Sequence, residues 1–188
     1  MGRLEVITGP MFSGKTEELM RRLRRAQIAG KSVALFKPHI DTRYKKNKVV
    51  THAGQEMDCQ FVEKSADLYL NTLGYDVVGV DEIQFIQYDA SYPWTPSDTV
   101  VRMAERQIVI VSGLDQTFRR HPFDPIPMLL AMADRIDKLT AVCHSCGRDA
   151  TLTQRLVDGK PAPFSGPTIQ VGGLESYEAR CKDCFEQG

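Results

Sequence analysis

The stretch GPMFSGKT, residues 9–16, sets glycine, lysine and threonine in the pattern G-x-x-x-x-G-K-[ST]. It sits where that pattern has chemical meaning: after the β-rich run LEVIT (4–8) and before KTEELMRRLRRAQIA (15–29), whose spacing predicts a helix. In the loop Gly9, Pro10, Met11, Phe12, Ser13, Gly14, the glycines let the backbone fold back. Its N–H groups then point inward at phosphates beside the positive end of the helix. Lys15 is expected to reach the β and γ phosphates, and Thr16 to bind Mg²⁺ through its hydroxyl. A second part is VVGVDE (77–82), read as a buried strand presenting Asp81 and Glu82 at its carboxyl end, where open α/β sheets bind ligands. Asp81 is expected to serve Mg²⁺ directly or through water, and Glu82 to accept a proton from the attacking nucleophile. ATPases use such a pair to activate water, so these residues alone leave the phosphoryl acceptor open.

The other chemistry-bearing set is Cys143 and Cys146 in CHSC with Cys181 and Cys184 in CKDC, with 34 residues between the pairs. Two C-x₂-C knuckles can close a tetrahedron of thiolates around Zn²⁺ at about 2.3 Å per bond, with no open position for catalysis. His144, between two of these cysteines, reads as a solvated spacer in preference to an alternative ligand. Cys59, without a partner pair, reads as a small, partly buried hydrophobe.

These groups need positioning elements. SVALFK (32–37), DVVGV (76–80) and QIVIV (107–111) join LEVIT as predicted strands, and DTVVRMAER (98–106) reads as a helix. Strands alternating with helices imply an α/β fold with a mainly parallel sheet covered on both faces. On the first helix Leu19, Leu23 and Ala26 share one face, while Arg21, Arg22, Arg24 and Arg25 form another, expected to be solvated. Residues 38–55 read as a polar, mobile loop long enough to act as a lid. From about residue 138 the composition turns cysteine-, glycine- and proline-rich, which predicts a first domain over 1–139 and a second, metal-stapled one over 140–188.

The 188 residues carry 24 basic and 24 acidic side chains and are 42% hydrophobic. Zero net charge removes any global attraction to nucleic acid or anionic membrane. No apolar run approaches the roughly 20 residues a bilayer span needs. A cytoplasmic protein with no membrane and no nucleic-acid partner is therefore expected.

Taken in order, VITGPMFSGKTEELMRRLRR, DTRY (41–44), VDEIQF (80–85), GLDQTFRRHPF (113–123), KLTAVCHSC (138–146) and VGGLESYEARCKDC (171–184) resemble the type II thymidine kinase family along the whole chain. The resemblance implies a P-loop, RecA-like sheet with flanking helices, plus a small C-terminal zinc-ribbon lobe carrying a lasso loop. It implies Mg²⁺-dependent transfer of the ATP γ-phosphoryl group to the 5′-hydroxyl of thymidine, or of deoxyuridine, with Glu82 as general base. Met11, Phe85, Leu114, Phe118 and Thr153 would surround the pyrimidine. Thr168, Ile169, Gln170, Val171 and Gly172 would form the lasso, with Tyr177 closing over the base, and Arg43 and Gln84 would join the nucleotide side. On periodicity alone Met11, Phe85 and Phe118 read as core, and only the motif match moves them to the pocket. The family likeness further implies a homotetramer restrained by thymidine triphosphate. Residues 86–98, which hold the only tryptophan, are longer and more proline-marked than the pattern. A competing function is a P-loop ATPase acting on nucleic acid, with the zinc lobe as reader and MRRLRR as basic surface.

Overall fold

The computed structural model describes residues 1–39, 48–50, 54, 56–169 and 176–188. The first part of the chain alternates strand and helix: β1 (Arg3–Thr8), α1 (Lys15–Ile28), β2 (Val33–Pro38), the antiparallel pair β3 (Lys48–Val50) and β4 (Glu56–Asp58), then β5 (Gln60–Val62) and α2 (Ser65–Asn71). There follow β6 (Val77–Val80), a 3₁₀ turn (Ile83–Phe85), α3 (Pro96–Ala104), β7 (Ile108–Gly113), α4 (Ile126–Met132) and β8 (Arg135–Lys138). Six strands form one sheet in the order β5-β2-β6-β7-β1-β8, with every neighbouring pair parallel. The expected α/β sheet is present.

The apolar runs are buried on both faces because strand side chains alternate. Val78, Val80, Val109 and Val111 face a cluster completed by Val100 of α3 and Ile126 and Leu129 of α4. Ile7, Val77 and Ile110 face Leu19, Met20 and Leu23 of α1. Gly79 marks the crossing of α1, since a Cβ there would lie 2.6 Å from Leu23 Cδ1. Cys59 is buried in the α1-side cluster, as its lack of a partner pair suggested.

Three expectations need correction. Arg22 is buried among acids, not solvated: it donates to Glu5 Oε2 at 2.7 Å, Glu18 Oε1 at 2.8 Å and Asp137 Oδ2 at 2.7 Å. Two of these acids come from the sheet edge under the helix, which a helical wheel cannot show. Segment 38–55 is not wholly loop, because Lys48–Val50 is a strand and Val49 is buried against the α1-side core; residues 40–47, 51–53 and 55 lie outside those described. The helix expected over 98–106 runs Pro96–Ala104, because Thr95 caps it by accepting from Asp98 N while Asp98 accepts from Thr95 N. The 86–98 segment packs Tyr92 and Trp94 edge-on, 5.1 Å apart, with Trp94 also 5.1 Å from Tyr69 of α2 and 4.2 Å beneath Arg102 of α3.

Past the sheet lie β9 (Ala141–Val142) paired with β10 (Asp149–Ala150), and β11 (Leu152–Val157) flanked by β12 (Lys160–Pro161) and β13 (Tyr177–Arg180). Their shared core is small, with Ala141, Cys143, Ala150, Ala179 and Cys181. So little apolar surface is the condition under which a metal staple contributes most. Among the described residues no helix is long and apolar enough to cross a membrane.

Candidate active site

Parallel strands deliver their carboxyl ends to one edge of the sheet, and three neighbours, β6, β7 and β1, supply the site. After β1 the chain turns at Gly9 with φ 145°, where a Cβ would meet Leu139 O at 2.4 Å. Gly14, with φ 77°, then starts α1. Phe12 takes φ 64° without being glycine, a conformation that stores strain of about 1–3 kcal/mol. Ser13 Oγ and Lys15 Nζ both donate to the Pro10 carbonyl, at 2.9 and 2.6 Å, which ties the loop to itself. Burial pushes the buried Lys15 ammonium below its ordinary pKa, against the opposing pull of Glu82 and Asp81.

Asp81 leaves the end of β6 fully buried and accepts from Thr16 Oγ1 at 3.1 and 3.3 Å. It also accepts from Ser112 Oγ, on the adjacent strand β7. A carboxylate and a threonine hydroxyl already in contact at the helix N-terminus are the donor set a hard cation takes in P-loop proteins, so these residues fit Mg²⁺. Glu82 follows with φ 54°, a second strained non-glycine residue. Its carboxyl is pushed above the ordinary carboxylate range by burial and then by Asp81. Gln84 holds it: its Nε2 donates to Glu82 Oε2 while its Oε1 accepts from Leu114 N at 3.2 Å.

Toward the C-terminal strands, Met11 N donates to Thr153 Oγ1 at 3.0 Å, which joins the phosphate loop directly to β11. Thr153 therefore uses its hydroxyl on the loop backbone. Phe85 is half-buried, edge-on to Phe123 with centroids 5.9 Å apart. Phe118 is buried, edge-on to Phe164 at 5.9 Å, with the Arg119 and Arg155 guanidinium carbons 5.1 and 5.2 Å from its ring centroid. Tyr177 is buried on β13 opposite Arg155, whereas Thr168 and Ile169 are exposed. Arg43, Gln170, Val171 and Gly172 lie outside the described residues.

The four thiol sulfurs of Cys143, Cys146, Cys181 and Cys184 lie within 4.8 Å of one another, and Cys146 Sγ is 3.7 Å from Cys181 Sγ. Bonds of about 2.3 Å in a tetrahedron imply edges of about 3.8 Å, so the set fits zinc. His144 turns away, with Nε2 3.4 Å from Glu178 Oε1, which agrees with a spacer and not a ligand. Arg148 donates to the Cys146 sulfur at 3.4 Å and the Cys181 sulfur at 3.8 Å, and bridges to Asp183 at 2.8 Å.

Sequence reasoning missed Ser112, Arg119, Arg155 and Phe164. Ser112 had one signal, a polar residue closing an apolar strand; the others acquire partners only through tertiary contacts. Compared with known proteins, the chain is matched over residues 2–185 by the sequence model of a family described as thymidine kinase. It is 46% identical to a curated thymidine kinase of Halobacterium salinarum, covering 97% of this chain and 93% of that relative.

Proposed function

Since the chain belongs to the thymidine kinase family, and so is an ATP-dependent kinase that phosphorylates thymidine, we propose that Glu82 is its general base and that the phosphate loop, Asp81 and the β11–β13 face assemble the two substrates around it. The observation that carries this reading is the Gln84 amide, which grips Glu82 with one end and the backbone of Leu114 with the other.

In this reading the γ-phosphate of ATP lies over the N–H groups of residues 12–14, with Lys15 offsetting charge as the transfer proceeds. Glu82 takes the proton of the thymidine 5′-hydroxyl as its oxygen attacks phosphorus, and ADP leaves. Thr16 and Asp81 would hold Mg²⁺, which screens the phosphate oxygens when bound. Met11, Phe85, Leu114, Phe118, Thr153 and Tyr177 border the pyrimidine, with residues 168–172 pairing its edge and Arg43 beside the nucleotide. Cys143, Cys146, Cys181 and Cys184 would hold a structural zinc that fixes the ends of that segment. Deoxyuridine, which lacks only the 5-methyl group, is a second acceptor, because one methyl contact discriminates by about 1–3 kcal/mol. We further propose the division at 139/140, a homotetramer, restraint by thymidine triphosphate and a cytoplasmic location.

The rival reading, a nucleic-acid-dependent ATPase, needs an open basic stripe on α1. Arg22 is spent on three acids, and Arg21 makes two hydrogen bonds to Glu18 at 2.6 and 2.8 Å. Replacing Glu82 by Gln should leave ATP affinity unchanged and lower kcat for thymidine by about 10²–10⁴. A variant that turns over thymidine at the parental rate refutes Glu82 as base. ATP hydrolysis stimulated by DNA or RNA, and independent of thymidine, would favour the rival.

A further inference from the structure

The loop after β7 and the segment after β12 are far apart in sequence, yet two guanidinium groups join them. Arg119 Nη1 donates to Thr168 Oγ1 at 2.9 Å, and Arg119 Nη2 donates to the Gly166 carbonyl. Arg155 Nη1 donates to the carbonyl of the intervening Pro167 at 2.5 Å. Three consecutive residues are thus held by two arginines, which also flank the buried Phe118 ring. Among the described residues no carboxylate pairs with Arg119. Its fork serves a hydroxyl, a carbonyl and a ring face, a geometry that lysine cannot reproduce.

We propose that Arg119 is a positioning residue for the nucleoside: its guanidinium fixes the Phe118 ring and the Gly166–Thr168 segment in one arrangement, and that arrangement sets thymidine affinity without taking part in phosphoryl transfer. The inference rests on the reading above that Phe118 and Thr168 border the base. Hydrogen bonds from a charged donor are roughly twice as strong as those between neutral groups. Part of that strength is felt as ordering of the pocket that thymidine must otherwise supply on binding, which appears in KM and not in kcat.

The test uses the full chain loaded with zinc, assayed with thymidine and with ATP varied separately. Arg119→Ala should raise the KM for thymidine about tenfold and leave kcat and the KM for ATP within about twofold. Arg119→Lys, which keeps the charge but loses the fork, should fall between wild type and Arg119→Ala. Should Arg119→Ala not fold, Arg119→Gln supplies the uncharged arm, with the same elevated KM expected. Phe118→Ala is measured in parallel, and the double variant should raise KM by less than the product of the two single effects, because the residues act through one contact. An unchanged thymidine KM in Arg119→Ala with an elevated one in Phe118→Ala overturns the role of Arg119 alone. An unchanged KM in Phe118→Ala overturns the pocket reading beneath it. Equal losses in kcat and in both KM values identify Arg119 as merely structural and also overturn the proposal.

Discussion

Replacing Gln84 by Met removes two hydrogen bonds with little change of volume, and the structure separates their effects. Loss of the donor frees the Glu82 carboxylate; a hydrogen bond to a charged group is worth about 1.5–3 kcal/mol. If that energy holds the base in its reactive position, kcat falls by about 10- to 150-fold. Loss of the acceptor leaves Leu114 N–H without its partner, which costs about 1–3 kcal/mol of stability. Gln84→Glu divides the two: a carboxylate oxygen still accepts from Leu114 N–H, but it faces Glu82 with like charge and no donor. Its unfolding midpoint in urea should lie nearer wild type, and its kcat should drop at least as far as that of Gln84→Met. Gly113→Ala approaches the same amide from the other side, since a Cβ there would meet Gln84 Oε1 at 2.5 Å. Steady-state kinetics with saturating ATP and thymidine, beside urea unfolding, read both quantities. A folded Gln84→Met variant with kcat within threefold of wild type refutes the reasoning.

Metal analysis of the purified chain should give one zinc per chain, and Cys181→Ser should lose the metal and open β9–β13 to proteolysis while the sheet's circular dichroism persists. Acid should weaken the α1 network: the hydrogen bond from Arg21, and then that from Arg22, hold Glu18 down to about 2 against its burial, and Arg22 likewise holds Asp137 below the ordinary range. Because the folded pKa is depressed, that stability is fully present above the ordinary value of 4.5 and is lost as pH falls from there toward about 2. Urea titrations at pH 7, 4 and 3 should show the loss, and Arg22→Leu should flatten it. The same substitution should cost roughly 3–5 kcal/mol at pH 7, toward the lower figure because Arg3 still donates to Glu5.

What the sequence revealed divides along a physical line. The cradle, the acidic pair and the cysteine knuckles were legible because each needs fixed residue types at fixed local spacing. The four central strands were legible because burial on both faces demands continuous apolar runs such as VVGV. β8, with the sequence RIDK, is mostly exposed at the sheet edge and resembles a loop by composition. β5 has three residues and α2 and α4 seven each, too short for a period to declare itself. Arg22 misled because its helix face is basic, while two of the acids that neutralise it, Glu5 and Asp137, lie on β1 and β8, beyond any local window. Gln84 and Ser112 matter through neighbours one strand away, and only the strand order reveals those.

That strand order also bears on how the chain is made. β1 is synthesised well before its sheet neighbours β7 and β8, which lie more than 100 residues downstream. Its two hydrogen-bonding edges therefore wait unpaired until translation has passed Lys138, and such distant pairings form slowly. The segment bearing the phosphate loop thus emerges well before the strands that seat it, so a growing chain should depend on chaperone shelter until β7 and β8 arrive.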